Sequence, residues 1–194
     1  MVPSPSFFNK VITRTNMREQ RRAFVQSLAP DTRVALEQAL ADALAPLLFA
    51  ASVVAGYFPM VSEISVLPAL EYAAALGKTD ALPAFVHRDS LMTFRAGKPI
   101  EPGPWGILQP SLDAPTVSPD LLLIPLLAID RTGNRIGMGK GHYDRALPGL
   151  RGAGARLIGI GWDFQMLDTA ITADSWDIPL DGFASPAGFQ EFAA

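Results

Sequence analysis

The 194-residue chain contains no cysteine. That excludes a disulfide framework, a thiolate metal site and a cysteine nucleophile. Histidine is nearly as scarce, and His87 and His142 stand too far apart to suggest an imidazole metal cage. Excess positive charge is missing as well: 16 Lys and Arg against 19 Asp and Glu leave a formal net charge of −3, unlike a globally basic nucleic-acid binder. The start, Met1 to Gln20, lacks the continuous apolar stretch and cleavage site of a secretory signal. Ala43–Ser62 is uncharged and long enough to raise the membrane question. Pro46, Gly56 and Pro59 interrupt it, however, and its composition passes from Ala/Leu to the strand-like run Ser52–Tyr57. A helix end running into a buried strand accounts for it. The chain therefore reads as soluble and cytoplasmic, with no membrane and no nucleic-acid partner.

What is present is ordinary for a packed core: 49% hydrophobic residues against 18% charged. The length suits one domain over 1–194. Charge is unevenly spread. Lys10, Arg14, Arg18, Arg21, Arg22 and Arg33 crowd the opening, whereas only acids (Asp163, Asp168, Asp174, Asp177, Asp181, Glu191) follow Arg156. A basic opening could meet ligand phosphates, an anionic surface, nucleic acid or the chain's own acidic end; most of these arginines read as a solvated helix face.

Asp31 is placed to cap a helix in which Leu36, Leu40, Leu44 and Leu48 recur every four residues. Val53–Phe58 reads as a short buried strand. Ser65 can cap a second helix through Leu67, Leu70 and Leu76, with Gly77 just past its end. Strands are expected at Ala81–Val86 and Leu91–Phe94, and an irregular stretch at Gly97–Pro119. Leu121–Pro125 is continuously apolar, as a central parallel strand covered on both faces would be. A short helix around Tyr143–Leu147 and a last strong strand at Leu157–Ile160 complete the pattern. Strands alternating with helices predict an α/β domain with a largely parallel sheet.

The chemistry concentrates between Asp130 and Arg145. Gly137, Gly139 and Gly141 at alternate positions let the backbone approach a ligand and expose N–H donors, and a helix start just beyond would favour an anion. Arg135 and Lys140 supply full charges for phosphate oxygens. Asp144 is a hard oxygen ligand for a Mg²⁺ that bridges such phosphates. Neither standard phosphate motif is present, since Gly141 rather than Ser or Thr follows Lys140. By pattern alone a plain glycine-rich turn stays open beside the phosphate site.

These residues resemble the signature of the 5-formyltetrahydrofolate cyclo-ligase (methenyltetrahydrofolate synthetase) family: Ile129-Asp130, Gly133, Arg135-Ile136-Gly137, Gly139 and Gly141-His142-Tyr143-Asp144. Weaker matches follow in the family's order. They are Arg14 and Arg18 in the opening helix, Tyr57–Glu63, Gly77-Lys78 with Leu82-Pro83, Trp105-Gly106-Ile107 before Gln109-Pro110, and Trp176–Asp181. The resemblance implies a three-layer α/β sandwich with a mostly parallel central sheet, like the sugar-phosphate isomerase folds. It also implies ATP-dependent closure of 5-formyltetrahydrofolate to 5,10-methenyltetrahydrofolate, with ADP and phosphate released. ATP and Mg²⁺ are then expected, reduced folate is the substrate, and a monomer or weak homodimer is the expected assembly.

Position by position, the resemblance makes Arg14 and Arg18 phosphate contacts, with Lys10 one turn earlier as an alternative register. Arg135, Gly137, Met138, Gly139, Lys140, Gly141, His142 and Tyr143 would line the nucleotide loop, with Lys140, Arg135 and Tyr143 closest to the chemistry. Asp144 would hold Mg²⁺, with Asp177 as a second ligand. Glu63 would hydrogen-bond the pterin, near Phe58, Trp105, His142 and Tyr143. The sequence departs from the pattern at His142, where the family has Tyr, and at Trp176, where it has His. A non-catalytic ligand sensor of the same fold and a nucleic-acid binder using the basic opening are the competing readings. The charged set Arg135, Lys140 and Asp144 favours the enzyme over the sensor, and the acidic remainder of the chain speaks against the binder.

Overall fold

The computed structural model describes residues 10–193. The chain opens with two helices, α1 (Lys10–Ser27) and α2 (Pro30–Ala50), then β1 (Val53–Ala55), α3 (Leu67–Ala75), β2 (Thr79–Ala84) and β3 (Thr93–Ala96). Short strands β4 (Glu101–Pro102), β5 (Leu108–Gln109) and β6 (Thr116–Val117) precede β7 (Leu121–Pro125), β8 (Ala128–Asp130) and β9 (Arg135–Ile136). Helix α4 (His142–Gly152), β10 (Arg156–Ile160), β11 (Met166–Leu167) and the hairpin β12 (Gly182–Ser185) and β13 (Gly188–Glu191) complete it.

Eight strands form the main sheet in the order β13-β12-β10-β7-β1-β2-β3-β6. Its five central strands, β12, β10, β7, β1 and β2, run parallel; β13 and β3 are added antiparallel on either side, and β6 pairs antiparallel with β3 at the edge. Alternation along β7 sorts the core into two layers. Leu121 and Leu123 face α2 and α3, packing with Leu40, Leu44, Leu48 and Leu70. Leu122 and Ile124 face the other way, against Leu147 of α4 and Phe183. The expected three-layer α/β arrangement, with β7 buried on both faces, is what the chain adopts.

The chain leaves β1 toward β2 on one side, whereas β7 is followed by β10 on the other. Such a switch in direction opens a crevice beyond the carboxyl ends of the strands. Tyr57, Phe58, Pro83, Phe85 and Pro125, all at or just beyond those ends, line a cleft there.

Several expected boundaries move. Ala29, not Asp31, occupies the N-cap of α2: Pro30 takes the first turn, where its missing N–H costs nothing, and Asp31 sits inside it facing the positive helix end. Val66 rather than Ser65 is the N-cap of α3, although the Ser65 hydroxyl still accepts the Leu67 N–H at 3.2 Å. Strand β1 stops at Ala55, because the chain turns away through Pro59 and the Tyr57 hydroxyl closes on the Ile64 carbonyl at 2.7 Å. Strand β2 begins two residues before the expected Ala81, and β3 ends two after the expected Phe94. The Ser90 hydroxyl fixes the turn between them by accepting the N–H groups of Val86 and His87. The stretch Gly97–Pro119 is not wholly irregular but carries β4, β5 and β6. Nor is β10 the last strong strand: β12 is buried at all four positions, its apolar signal diluted by Gly182 and Ser185. No helix among the described residues is long and apolar enough to cross a membrane.

Candidate active site

The cleft at the switch point has a volume of about 400 Å³. One wall is the loop from Arg135 to Gly141 and the first turn of α4, contributing Arg135, Gly137, Met138, Gly139, Lys140, Gly141, His142, Tyr143 and Asp144. The remaining lining is largely apolar and aromatic, with Phe58, Met60, Phe85, Met92 and Trp105. Polar at one end and apolar at the other, the space suits a ligand with a phosphate part and a ring part.

The glycines shape the loop in two different ways. Gly139 and Gly141 take positive φ of 83° and 70°, and Gly141 is the left-handed N-cap of α4. Gly137 lies outside that region of φ, yet a Cβ there would meet no atom within 4 Å. It is an opening in the cleft wall rather than a conformational necessity, so a ligand can come against the backbone there.

The N-terminal helix holds this loop from outside. Arg14 Nε donates to the Gly137 carbonyl at 3.2 Å, and Arg18 Nη2 donates to the Met138 carbonyl at 2.9 Å. Arg18 also lines the cleft, whereas Arg14 is not among its lining residues. Lys10, one turn earlier, reaches Asp174 at 2.6 Å and Asp177 at 2.9 Å. The basic opening thus meets the chain's own acidic end, one of the partners that the charge pattern had left open, and also the carbonyls of the glycine loop, which that pattern did not suggest.

Arg135 is the buried cation of the site. It is ion-paired with Asp144, and its Nη1 donates to the Ile178 carbonyl at 2.9 Å. Burial pulls its pKa below the ordinary arginine value, opposed by Asp144, Asp177 and the Tyr143 ring. Burial and the nearby Glu63 push the Tyr143 hydroxyl well above the usual tyrosine range, so it remains a proton donor at neutral pH. Lys140 is exposed, with its charge at the mouth.

His142 packs in a triangle of rings, 4.8 Å from Phe85 and 4.9 Å from Trp105, which are 4.9 Å from each other. Burial, then the charges of Arg145 and Lys140, hold its pKa below the usual histidine value, so the ring is neutral at pH 7. Gln109 fixes one corner of this triangle: its carboxamide exchanges two hydrogen bonds with the backbone of Phe85, at 3.0 and 3.2 Å.

Glu63 lies at the apolar end, 5% exposed, its Oε2 accepting the Met60 N–H at 2.9 Å. Burial raises its pKa, and the Met60 amide and Arg21 counter that rise.

As to metal, Asp144 lines the cleft and is partly exposed. Asp177 is not among the lining residues; its Oδ2 accepts from Lys10 and from the Asp174 N–H at 2.9 Å. Burial would raise its pKa, but these partners and Arg135 bring it below the usual carboxylate value. Among the described residues no three His, Asp or Glu side chains gather into a metal cage. One or two carboxylates with phosphate oxygens and waters are nonetheless the usual surroundings of Mg²⁺, and Asp144 offers one on the phosphate side.

The cleft therefore gathers Arg18, Phe58, Glu63, Trp105, Arg135 and the run Gly137–Asp144, while Arg14 and Asp177 are not among its lining residues. Sequence reasoning missed Met60, Phe85, Met92 and the buried Arg21. Phe85 had a usable signal, since it closes an expected strand at the end where α/β sheets bind ligands.

Compared with protein-family models, residues 9–186 match the 5-formyltetrahydrofolate cyclo-ligase family. A 5-formyltetrahydrofolate cyclo-ligase of Mycolicibacterium smegmatis is 30% identical over 190 residues, covering 89% of this chain and 91% of the relative. The Escherichia coli 5-formyltetrahydrofolate cyclo-ligase is 28% identical, covering 91% and 100%. Among solved structures, the 5,10-methenyltetrahydrofolate synthetase of Aquifex aeolicus superposes with a TM-score of 0.80 over 95% of this chain and 93% of the other, at 24% identity. With the match spanning nearly the whole sequence and the same α/β fold beneath it, the chain belongs to the 5-formyltetrahydrofolate cyclo-ligase family.

Proposed function

We propose that the chain converts 5-formyltetrahydrofolate to 5,10-methenyltetrahydrofolate, with ATP cleaved to ADP and phosphate, in the cleft between Glu63 and the glycine loop. The carrying observation is that one cleft joins a buried carboxylate among aromatic rings to a glycine loop bearing Arg135 and Lys140. A formamide oxygen is a poor leaving group, so it must first be converted to a phosphate ester. The formyl oxygen attacks the γ-phosphorus and the bond to ADP breaks. The N10 amine then adds to the activated carbon and gives up its proton, and phosphate leaves. Both steps ask for positioning and charge stabilisation rather than a protein nucleophile.

In this reading Lys140 and Arg135 take the charge of the transferring phosphoryl group, while Gly137 to Gly141 present backbone to the nucleotide. Arg18 adds a charge at the cleft wall, and Arg14 and Lys10 keep the loop and Asp177 in place. Tyr143, protonated between Glu63 and Arg135, offers a hydrogen bond where the two substrates meet. Glu63 accepts hydrogen bonds from the pterin, beside Phe58 and the Phe85–Trp105–His142 rings. Asp144 would hold Mg²⁺, with Asp177 the second carboxylate near Arg135; the ion would neutralise phosphate charge. Reduced folate and ATP are the partners and the cytoplasm the compartment. The assembly in this reading is a monomer or weak homodimer of one 1–194 domain.

The test is a coupled assay on purified protein. Methenyltetrahydrofolate absorbance and ADP should rise stoichiometrically and stop when ATP or Mg²⁺ is omitted. Nucleotide binding with neither product would overturn the assignment.

A further inference from the structure

Arg21 stands apart from the phosphate-handling half of the cleft. It lies on α1 and is 3% exposed. Its Nε donates to the Ser62 hydroxyl at 3.1 Å, its Nη1 donates to the Leu126 carbonyl at 3.3 Å, and Nη1 lies 3.7 Å from Glu63 Oε1. The other Glu63 oxygen accepts the Met60 N–H at 2.9 Å. The loop that carries Glu63 is tied at three more points: Trp162 Nε1 donates to the Ser62 carbonyl at 3.1 Å, Arg33 Nη2 of α2 to the Glu63 carbonyl at 3.0 Å, and, within the loop, the Tyr57 hydroxyl to the Ile64 carbonyl at 2.7 Å. A fully buried ion pair is weak evidence for stability, because desolvation of both charges offsets their attraction. This one borders a ligand cleft, and a functional reason fits it better.

We propose that Arg21 is a positioning residue for folate recognition: from beneath the cleft floor its charge and its hold on the Ser62–Glu63 loop set the place of the Glu63 carboxylate, which accepts hydrogen bonds from pterin N–H groups. The proposal rests on the folate reading of the cleft. Burial pushes the Glu63 proton affinity up, and the Met60 amide and Arg21 are what oppose it. The other groups around it are the Tyr57 and Tyr143 hydroxyls, both kept protonated by burial, and Arg33 and Glu37 of α2, which pair with each other at 2.9 Å. None of these replaces the Arg21 charge beside the carboxylate. Without Arg21, the proton affinity of Glu63 rises further, and a carboxyl that keeps its proton to higher pH is a poorer acceptor for the pterin.

The experiment compares wild type, Arg21→Met, Arg21→Lys, Glu63→Gln and the double variant Arg21→Met/Glu63→Gln. Folate KM, ATP KM and kcat are followed against pH, and 5-formyltetrahydrofolate binding is followed directly through tryptophan fluorescence. Arg21→Met should raise the folate KM about tenfold or more at neutral pH, the scale of a charged hydrogen bond, with ATP KM nearly unchanged. Its folate KM should fall again as pH rises and Glu63 ionises, and Arg21→Lys should recover part of the loss. The double variant removes both buried charges, so it folds even where the lone unpaired carboxylate would not. It should match Glu63→Gln in KM and show no pH limb. An unchanged folate KM in Arg21→Met, an equal rise in ATP KM, or a double variant much worse than Glu63→Gln would each overturn the proposal. Absence of turnover in wild type would instead overturn the folate reading itself.

Discussion

Two neighbouring glycines of the loop should fail in opposite ways when each is given one methyl group. At Gly139 the backbone is left-handed, with φ of 83°, and an alanine there is strained by about 1–2 kcal/mol, partly offset by the reduced entropy of the unfolded chain. For a chain of this size that corresponds to a Tm lower by roughly 2–4 °C per kcal/mol. At Gly137 the backbone is outside that region and the new Cβ meets no protein atom within 4 Å. Gly137→Ala should therefore leave Tm unchanged or slightly raised. In the proposed site the same Cβ would enter space assigned to the nucleotide; steric overlap of about 1–3 kcal/mol translates to a rise of roughly 5- to 150-fold in ATP KM. Differential scanning fluorimetry and initial rates at saturating folate separate the two outcomes. A Gly137→Ala variant with the wild-type ATP KM would refute the assignment of this opening to the nucleotide. A Tm loss as large as that of Gly139→Ala would refute the geometric argument.

The other predictions concern charge and hydrogen bonding. Lys140→Ala removes an exposed cation from the cleft mouth, so kcat/KM for ATP should fall by at least about tenfold while Tm stays the same; near-wild-type turnover would take the lysine out of the mechanism. Glu63→Gln should raise the folate KM more than the ATP KM in steady-state kinetics, since it keeps the shape but loses an acceptor on the pterin side. Asp130 is 2% exposed and accepts from the Ile171 N–H at 2.7 Å and from the Thr132 hydroxyl, Thr132 N–H and Asn134 N–H at 2.7, 2.9 and 3.0 Å. Burial alone would raise its pKa, but these donors bring it below the ordinary aspartate value. Its stabilising contribution is thus complete above the unfolded-state pKa and is lost as pH falls through the lower folded-state value. Asp130→Asn should cost about 1–3 kcal/mol at neutral pH and flatten that acid limb in urea titrations; an unchanged limb would count against it.

How far the sequence spoke depended on the kind of signal. The continuous apolar run Leu121–Pro125 identified the central strand because burial on both faces leaves no polar position. The leucine period did the same for α2, whose Leu40, Leu44 and Leu48 are fully buried. The hairpin β12–β13 was illegible, since four residues containing Gly182 and Ser185 carry too little periodicity. The small sheet of β8, β9 and β11 also escaped notice, as two- and three-residue strands are fixed by long-range pairing, here around the buried Asp130. At the site, the loop Arg135–Asp144 was legible because glycine spacing and charge occur within one segment. Arg21 was not: it looked like one more arginine on a basic helix, and only the packing of α1 against the Glu63 loop reveals that it is buried. The contact of Arg14 with the Gly137 carbonyl was illegible for a similar reason, because the two residues lie far apart in sequence.

The most direct test of the central claim follows one atom. With 5-formyltetrahydrofolate carrying a heavy-oxygen label in its formyl group, wild-type turnover with ATP and Mg²⁺ should place the label in the released inorganic phosphate, one labelled phosphate for each methenyltetrahydrofolate formed. Label found in water, with unlabelled phosphate, would contradict phosphoryl transfer to the formyl oxygen, and with it the roles given to Arg135, Lys140 and the glycine loop.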